Sequence, residues 1–454
     1  MAARERLPGN LFPGHSQPFS RHCGKARDGM KRRVVITGLG VISAIGSGKD
    51  AFWQGLLAGT SGETLLSDVT CCSLFEHHSF DAQVVCEVKD FDPLAQGVPA
   101  DCLEMDRSIQ FAVAGAHQAM QDAQLAELDD CERAGVVLAT AICGTQTLDK
   151  EFTKVTDMGS HPIRSAGASP HLYAAAMGNS AALEIAARYG FQGETVTLST
   201  GCIGGVDAIS YAYESVAGGE HDIVIAGAAE APITPITIAA FDIIHCLSHH
   251  NSKASRPFCA SRDGFVLSEG CGIVVLEELE HARARQAPIY AEITGWAVTE
   301  HAMHMTDMSP EGRDLVRAIT DTIDRAETLP TQIDFINAHG TSTPQNDIRE
   351  TQAIKAVLGS HASTIPVNST KSMLGHSLAA ASALEVVACA LSLQHQTLHP
   401  TINYLDPDPA CDLDYVPNVP RRYDMEQLIT TASGFSGLHA ALAIRSVKDD
   451  RRTL

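Results

Sequence analysis

An α/β protein made of two similar halves is what this sequence predicts, on three observations. Short β-branched runs alternate with longer stretches of helical period along most of the chain. That alternation is the mark of buried sheets covered by helices. Two strand–turn–helix units echo each other: Glu194-Thr-Val-Thr-Leu-Ser-Thr-Gly-Cys202 and Thr364-Ile-Pro-Val-Asn-Ser-Thr-Lys-Ser-Met-Leu-Gly-His376. Each runs into a segment rich in Ala, Gly and Ser. Side chains that small let a helix lie close to its neighbours, so both helices are expected at the centre.

Residues 1–29 are rich in Pro, Gly, Arg and His and have no apolar period, so a disordered leader is expected there. Met30-Lys-Arg-Arg-Val-Val-Ile-Thr-Gly-Leu39 then begins an apolar strand that ends in a glycine turn. From there strands are expected at 33–37, 135–140, 194–199, 222–227, 272–277, 289–296, 333–337, 365–368 and 428–432. Helices are expected at 49–58, 108–124, 168–188, 203–217, 234–242, 311–326, 347–357 and 376–394. The halves should divide near Ala284–Pro288, giving 30–285 and 286–449.

A chain of 454 residues with 44% apolar side chains has ample material for a large core. No stretch approaches the roughly 20 apolar residues needed to span a bilayer, so no membrane role is expected. With 33 basic and 54 acidic side chains the net charge is −21, a surface that repels nucleic acid. The 13 cysteines form no C-x-x-C pair, and a reducing cytoplasm is the expected compartment. His77-His78, His249-His250 and His301/His304 lack companion ligands at metal spacing, so they read as solvated loop residues and no metal site is expected.

Cys202 carries the chemistry. It sits in Thr197-Leu-Ser-Thr-Gly-Cys-Ile-Gly-Gly-Val206, at the junction of a strand and a helix. Unpaired N–H groups and the helix dipole favour a thiolate there, and a thiolate is a nucleophile that forms S-acyl intermediates. Most buried cysteines are inert. Two further motifs in similar settings set this one apart: Asn337-Ala-His339-Gly-Thr-Ser-Thr343 and Lys371-Ser-Met-Leu-Gly-His376.

Together with Gly434-Phe-Ser-Gly437, Ser255-Arg-Pro-Phe258, Arg262-Asp-Gly-Phe265 and Asp412-Leu-Asp-Tyr-Val-Pro417, these segments resemble the β-ketoacyl synthase family from about Met30 to Ser446. Val196-Thr-Leu-Ser-Thr-Gly-Cys202 and Ala229-Glu-Ala-Pro-Ile-Thr-Pro-Ile236 look most like the ketosynthase (alpha) subunit of bacterial type II polyketide synthases. The resemblance implies a thiolase-like duplicated fold, a five-layer α-β-α-β-α sandwich, and a decarboxylative Claisen condensation of acyl and malonyl thioesters. It implies no cofactor bound by the chain itself, because substrates ride on the phosphopantetheine of an acyl carrier protein. The implied partners are that carrier and either a catalytically silent chain-length-factor homologue or a second copy of the chain.

Residue by residue, the resemblance makes Cys202 the acyl acceptor and gives His339 and His376 the enolate oxygen to stabilise. Lys371 becomes an orienting residue with Glu350 as its expected ion-pair partner. Thr341 and Thr343 would bind the pantetheine amide, Phe435 would gate the acyl tunnel and supply an oxyanion N–H, and Ile142 would line the tunnel. Two departures stand out. The family's usual Arg-Pro-Trp/Phe-Asp ends here in Cys259, with the expected loss of a structural hydrogen bond. The usual Gly-Phe-Gly-Gly-x-Asn is here Gly434-Phe-Ser436-Gly-Leu-His439, which puts a more restricted residue in the gate.

Other readings compete. Gly375-His-Ser377-Leu-Ala379 resembles the G-x-S-x-G of serine hydrolases with its last glycine replaced. It leaves the Cys202 elbow unexplained. A non-catalytic chain-length-factor-like subunit would have lost the nucleophile, which this chain keeps. A fatty-acid elongating 3-oxoacyl carrier-protein synthase would share the chemistry but act as a homodimer.

Overall fold

Aliphatic and β-branched side chains build ten strands that join in one sheet in the computed structural model, which describes residues 32–72, 75, 80–125 and 131–447. The leader expected at 1–29 and the pair His77-His78 lie outside the described residues. Five strands come from the first half: β1 (Val34–Ile42), β2 (Ala134–Ala139), β3 (Thr195–Leu198), β4 (Ile223–Glu230) and β5 (Gly270–Glu278). Their spatial order is β3-β2-β4-β5-β1. The second half supplies β6 (Ala291–Glu300), β7 (Phe335–Asn337), β8 (Val367–Asn368), β9 (Gln427–Ser433) and β10 (Leu438–Arg445), in the order β8-β7-β9-β10-β6.

The two orders are the same once each set is counted from its own first strand. Directions match too. β2 runs parallel to β3 and β4, while β5 is antiparallel to both β4 and β1. Likewise β7 is parallel to β8 and β9, while β10 is antiparallel to β9 and β6. The weak echo in sequence is a duplicated topology. The sets meet where Val34–Ile36 of β1 pairs antiparallel with Ala291–Ile293 of β6.

Among the helices of the described residues are α1 (Arg107–Asp122), α2 (Ser180–Tyr189), α3 (Gly204–Ala217), α4 (Pro235–Asp242), α5 (Arg313–Arg325), α6 (Pro344–Leu358) and α7 (Ala379–His395). α1 and α2 cover the outer face of the first set, and α5, backed by α6, covers that of the second. α3 and α7 pack on each other and touch strands of both sets. The result is a five-layer α-β-α-β-α sandwich. The central pair can be this close because of its small residues: a Cβ on Gly205 would stand 2.4 Å from the Ala383 amide nitrogen. Every residue of α7 from Ala379 to Leu393 is buried.

The strand and helix expectations fall on observed elements, although the helix Thr145–Thr156 and the ladder of Glu63–Leu65 with Val84–Cys86 were not expected, and two further differences have a clear cause. The helix expected at 168–188 is broken, into Leu172–Ala176 and α2, around Met177-Gly178-Asn179. β10 was not expected at all. Its sequence Leu438-His-Ala-Ala-Leu-Ala-Ile-Arg445 has one β-branched residue and reads as a helix former. Pairing on both edges, with β9 and β6, overrides that local preference.

Candidate active site

The position of Cys202 follows from how β3 ends. Its β-branched run stops at Leu198, and Gly201–Ile203 then form a single 3₁₀ turn before α3 begins at Gly204. Cys202 lies in that turn, where its own amide and that of Phe435 donate hydrogen bonds to the sulfur. Burial dominates its titration. It pushes the thiol up to about 12, with the Lys371 charge pulling down and Glu230 pushing further up. The thiolate expected from the helix terminus is therefore not the resting state, because loss of water outweighs the dipole and the amides. Glu230, at the end of β4, is itself pushed up to about 8 by burial, although the amides of Ala141, Ile142 and Ala379 donate to it.

The second half delivers the two imidazoles. β7 ends at Asn337, two residues before His339. The His339 and Gly340 amides each donate to Glu350 of α6 at 2.8 Å, and Thr431 donates to the same carboxylate at 2.6 Å. Glu350 thus clamps the loop that holds His339. It is not the ion-pair partner of Lys371, contrary to the sequence expectation. Lys371 Nζ lies 2.5 Å from Glu385 Oε1 on α7 and 3.2 Å from His339 Nδ1. Glu385 stands on the helix that follows the lysine's own turn, while the Glu350 oxygens are occupied by amides. Burial pushes Glu385 up to about 7 against the pull of Lys371.

An ammonium only donates, so His339 Nδ1 must accept and its proton sits on Nε2. His376 is fixed through its backbone: its amide donates to Val266 O at 2.7 Å and its carbonyl accepts from the Ser268 amide at 3.1 Å. Its ring meets Phe265 and His339 edge-on, at centroid distances of 5.2 and 5.3 Å. The buried Nδ1 of His376 has no hydrogen-bond partner among the described residues. Burial first, then the Lys371 charge, holds both imidazoles well below the ordinary histidine range, so both rings are neutral at pH 7.

A cavity of about 260 Å³ brings these groups together, with Cys202, His339, His376, Thr341, Thr343 and Phe435 in its wall. Thr341 and Thr343 share a 2.8 Å hydrogen bond between their hydroxyls. Ile142 packs in the same apolar cluster as Cys202 but is not part of the wall. Ser377, the alternative nucleophile, is buried and also absent from the wall. Phe435 keeps 37% of its surface exposed. The next residue, Ser436, has φ of 69°, a left-handed conformation that a serine adopts at some strain. Its amide bonds Met305 O at 2.5 Å, and a Cβ on Gly437 would run into the His301 ring at 2.3 Å. The Gly434–Gly437 loop is therefore seated on the 301–305 segment. Among the described residues no group of three or more His, Cys, Asp or Glu could hold a metal ion.

The chain matches the family description "Beta-ketoacyl synthase, N-terminal domain" over residues 31–282 and "Beta-ketoacyl synthase, C-terminal domain" over 290–405. It belongs to the β-ketoacyl synthase family. It is 42% identical over 427 residues to the "Tetracenomycin polyketide synthase ketoacyl synthase alpha subunit" of Streptomyces glaucescens, covering 93% of this chain and 99% of the relative. It is similar at TM-score 0.85 and 40% identity to the solved structure of a "type II PKS acyl-carrier protein in complex with its ketosynthase bound to the hexaketide", covering 92% of this chain and 100% of that one. A second solved structure, "The ishigamide ketosynthase/chain length factor", is similar at TM-score 0.84 and 35% identity over 92% of this chain and 100% of that one.

Within this ketosynthase the sequence reading missed Glu385, though a signal was present. It is the lone acid in the stretch Ala379–Leu393, otherwise filled with Ala, Ser, Cys389 and aliphatic residues. A buried carboxylate calls for a cation or a set of hydrogen-bond donors, and Lys371 stands eight residues before that helix begins. The departure at Cys259 turns out milder than expected: its thiol donates to Asn403 O at 3.2 Å. A weak hydrogen bond remains where the expected one is missing.

Proposed function

We propose that this ketosynthase is the chain-extending subunit of a type II polyketide system, condensing carrier-bound acyl and malonyl thioesters into a poly-β-ketone. The observation that carries the reading is the single cavity wall shared by Cys202, His339 and His376, with two amides aimed at the sulfur. The Cys202 sulfur attacks the acyl carbonyl, a new C–S bond forms, and the carrier thiol leaves with the proton. In the malonyl thioester the bond to the carboxylate breaks, carbon dioxide departs and its electron pair passes to the enolate oxygen. His339, through Nε2–H, and His376 hydrogen-bond that oxygen. The enolate carbon attacks the Cys202 thioester, and the amides of Cys202 and Phe435 hold the oxyanion until the sulfur leaves. Each such donor is worth about 3 kcal/mol of barrier. Lys371 fixes the His339 tautomer, and its charge disfavours a proton on either imidazole.

The acyl carrier protein is the proposed donor of both substrates and a chain-length-factor homologue the proposed partner; one solved relative is a ketosynthase in complex with its acyl-carrier protein, the other a ketosynthase/chain length factor. An apolar face supports the latter. Phe152, Met158, Ile163 and Tyr173, all within residues 152–173, are 53%, 65%, 69% and 76% exposed, which leaves apolar side chains for a partner to cover. No described helix is long and apolar enough to cross a membrane, and the cytoplasm is the proposed place of work.

The test is incubation with acylated and malonylated carrier, with and without the partner, followed by mass analysis of protein and product. An acyl adduct on Cys202 and a lengthened chain that needs the partner are expected. An adduct on Ser377 would replace the reading with an acyl hydrolase. Chain extension by the chain alone, as a homodimer, would make it a fatty-acid type enzyme.

A further inference from the structure

The substituted gate motif places a histidine where the family pattern has asparagine, and that histidine reaches the cavity wall through one hydroxyl. Ser433 closes β9 just before Gly434-Phe435, and its surface lines the cavity with Cys202 and both active-site imidazoles. Across the β9–β10 ladder it pairs with His439. Its Oγ lies 2.9 Å from His439 Nδ1. The His439 ring is 1% exposed, and its Nε2 has no partner among the described residues. His301 lies beside it at a centroid distance of 6.1 Å. Burial above all, then the neighbouring His301, pulls His439 down to about 4, with Asp314 and Glu300 opposing, so the ring is neutral at pH 7.

A neutral ring has one proton and two places for it. On Nε2 it would be a bare buried N–H, which folded proteins avoid more strictly than a bare acceptor. On Nδ1 it satisfies Ser433 Oγ. The serine oxygen then accepts from His439, and its own proton is left free to donate elsewhere.

We propose that the Ser433 hydroxyl donates a hydrogen bond to the carbonyl oxygen of the bound acyl thioester, and that His439 is the positioning residue that frees and aims it. This inference rests on the ketosynthase reading above. Ser433 thereby adds a side-chain donor to the two backbone amides at the sulfur. It explains how the altered motif remains compatible with the chemistry. An asparagine amide nitrogen stands the same number of bonds from Cβ as Nδ1, and it too would donate to Ser433 while leaving the hydroxyl proton free.

The experiment compares wild type, Ser433→Ala, His439→Leu, His439→Asn and the Ser433→Ala/His439→Leu double variant. The rate of Cys202 acylation by carrier-bound acyl thioester is read by mass spectrometry. Ser433→Ala and His439→Leu should each slow acylation roughly tenfold, the worth of one neutral hydrogen bond. The double variant should be no slower than either, because both remove the same contact. His439→Asn should react near the wild-type rate. Methyl methanethiosulfonate, a thiol reagent without a carbonyl, should modify Cys202 equally fast in all five proteins. Acylation of Ser433→Ala at the wild-type rate would overturn the inference, as would equal slowing of acylation and of the carbonyl-free reagent. His439→Asn behaving like His439→Leu would overturn the link between the two residues. A wild-type chain that takes no acyl group at all would overturn the ketosynthase reading, and this inference with it.

Discussion

The two elbows of the molecule have the same topology and opposite chemistry. In the first half, β3 runs through a single 3₁₀ turn into α3 and presents one thiol. In the second, β8 runs through the short helix Lys371–Leu374 before α7, and presents a lysine and an imidazole. The extra turn separates Lys371 from His376, so the first can reach back to His339 and Glu385 while the second faces the cavity. Duplication supplies two elbows that meet on the central helices. What differs is the surroundings. The thiol side contributes a buried carboxyl, Glu230, that opposes charge on the sulfur, and the other side contributes a cation that opposes charge on the imidazoles. The resting site is neutral at its reacting atoms and acquires charge only as substrate reacts.

That contrast can be broken at either end. Cys202→Ala removes the proposed acyl acceptor and should cut chain extension by roughly 10³-fold or more, measured by product mass analysis. His376→Ala acts on the other elbow. Malonyl decarboxylation should fall by about 10²-fold or more while Cys202 still takes an acyl group, read as carbon dioxide release against adduct formation. Equal loss of both steps would merge the two roles into one.

The supporting carboxylates sharpen the comparison. Glu385→Leu leaves Lys371 buried without its partner and should destabilise the fold by about 3–5 kcal/mol in chemical denaturation. Glu350→Gln keeps an acceptor for only one of the two loop amides and should cost about 1–2 kcal/mol, with His339-dependent decarboxylation reduced more than acylation. If the two substitutions had reversed effects on stability, the assignment of Lys371 to Glu385 would be wrong.

The smallest expected effects are in titration. With the thiol near 12, alkylation of Cys202 by iodoacetamide should rise about tenfold per pH unit through neutrality, without a plateau. A plateau near pH 7 would indicate a preformed thiolate. The depressed imidazoles make the reverse test. The unfolded chain takes up their protons near pH 6.5 and the folded chain only well below it, so His339 and His376 stabilise the fold above 6.5 and that contribution is lost as pH falls. Replacing either by glutamine should flatten the acid limb of stability.

Most of the fold was legible because the strands are β-branched and the central helices are built from small residues. β10 was hidden, since its alanines and leucines favour a helix locally and only its two neighbours make it a strand. The site was legible as motifs, and Cys202, His339 and His376 share one wall. The electrostatic wiring was less so. Glu350 and Glu385 are both acids on helices after active-site loops, and only geometry shows that one serves amides and the other Lys371. The neutral thiol was also unpredictable from a helix terminus, because the penalty is set by how much water the folded cavity excludes.

The most direct measurement is a structure of the chain with Cys202 covalently acylated by a pantetheine-linked electrophile. The adduct's carbonyl oxygen should lie within hydrogen-bond reach of the Cys202 and Phe435 amides, with the pantetheine arm passing Thr341 and Thr343 and both imidazoles facing the site of the incoming enolate. An adduct that leaves the cavity by another route, with His339 and His376 turned away from it, would contradict the account.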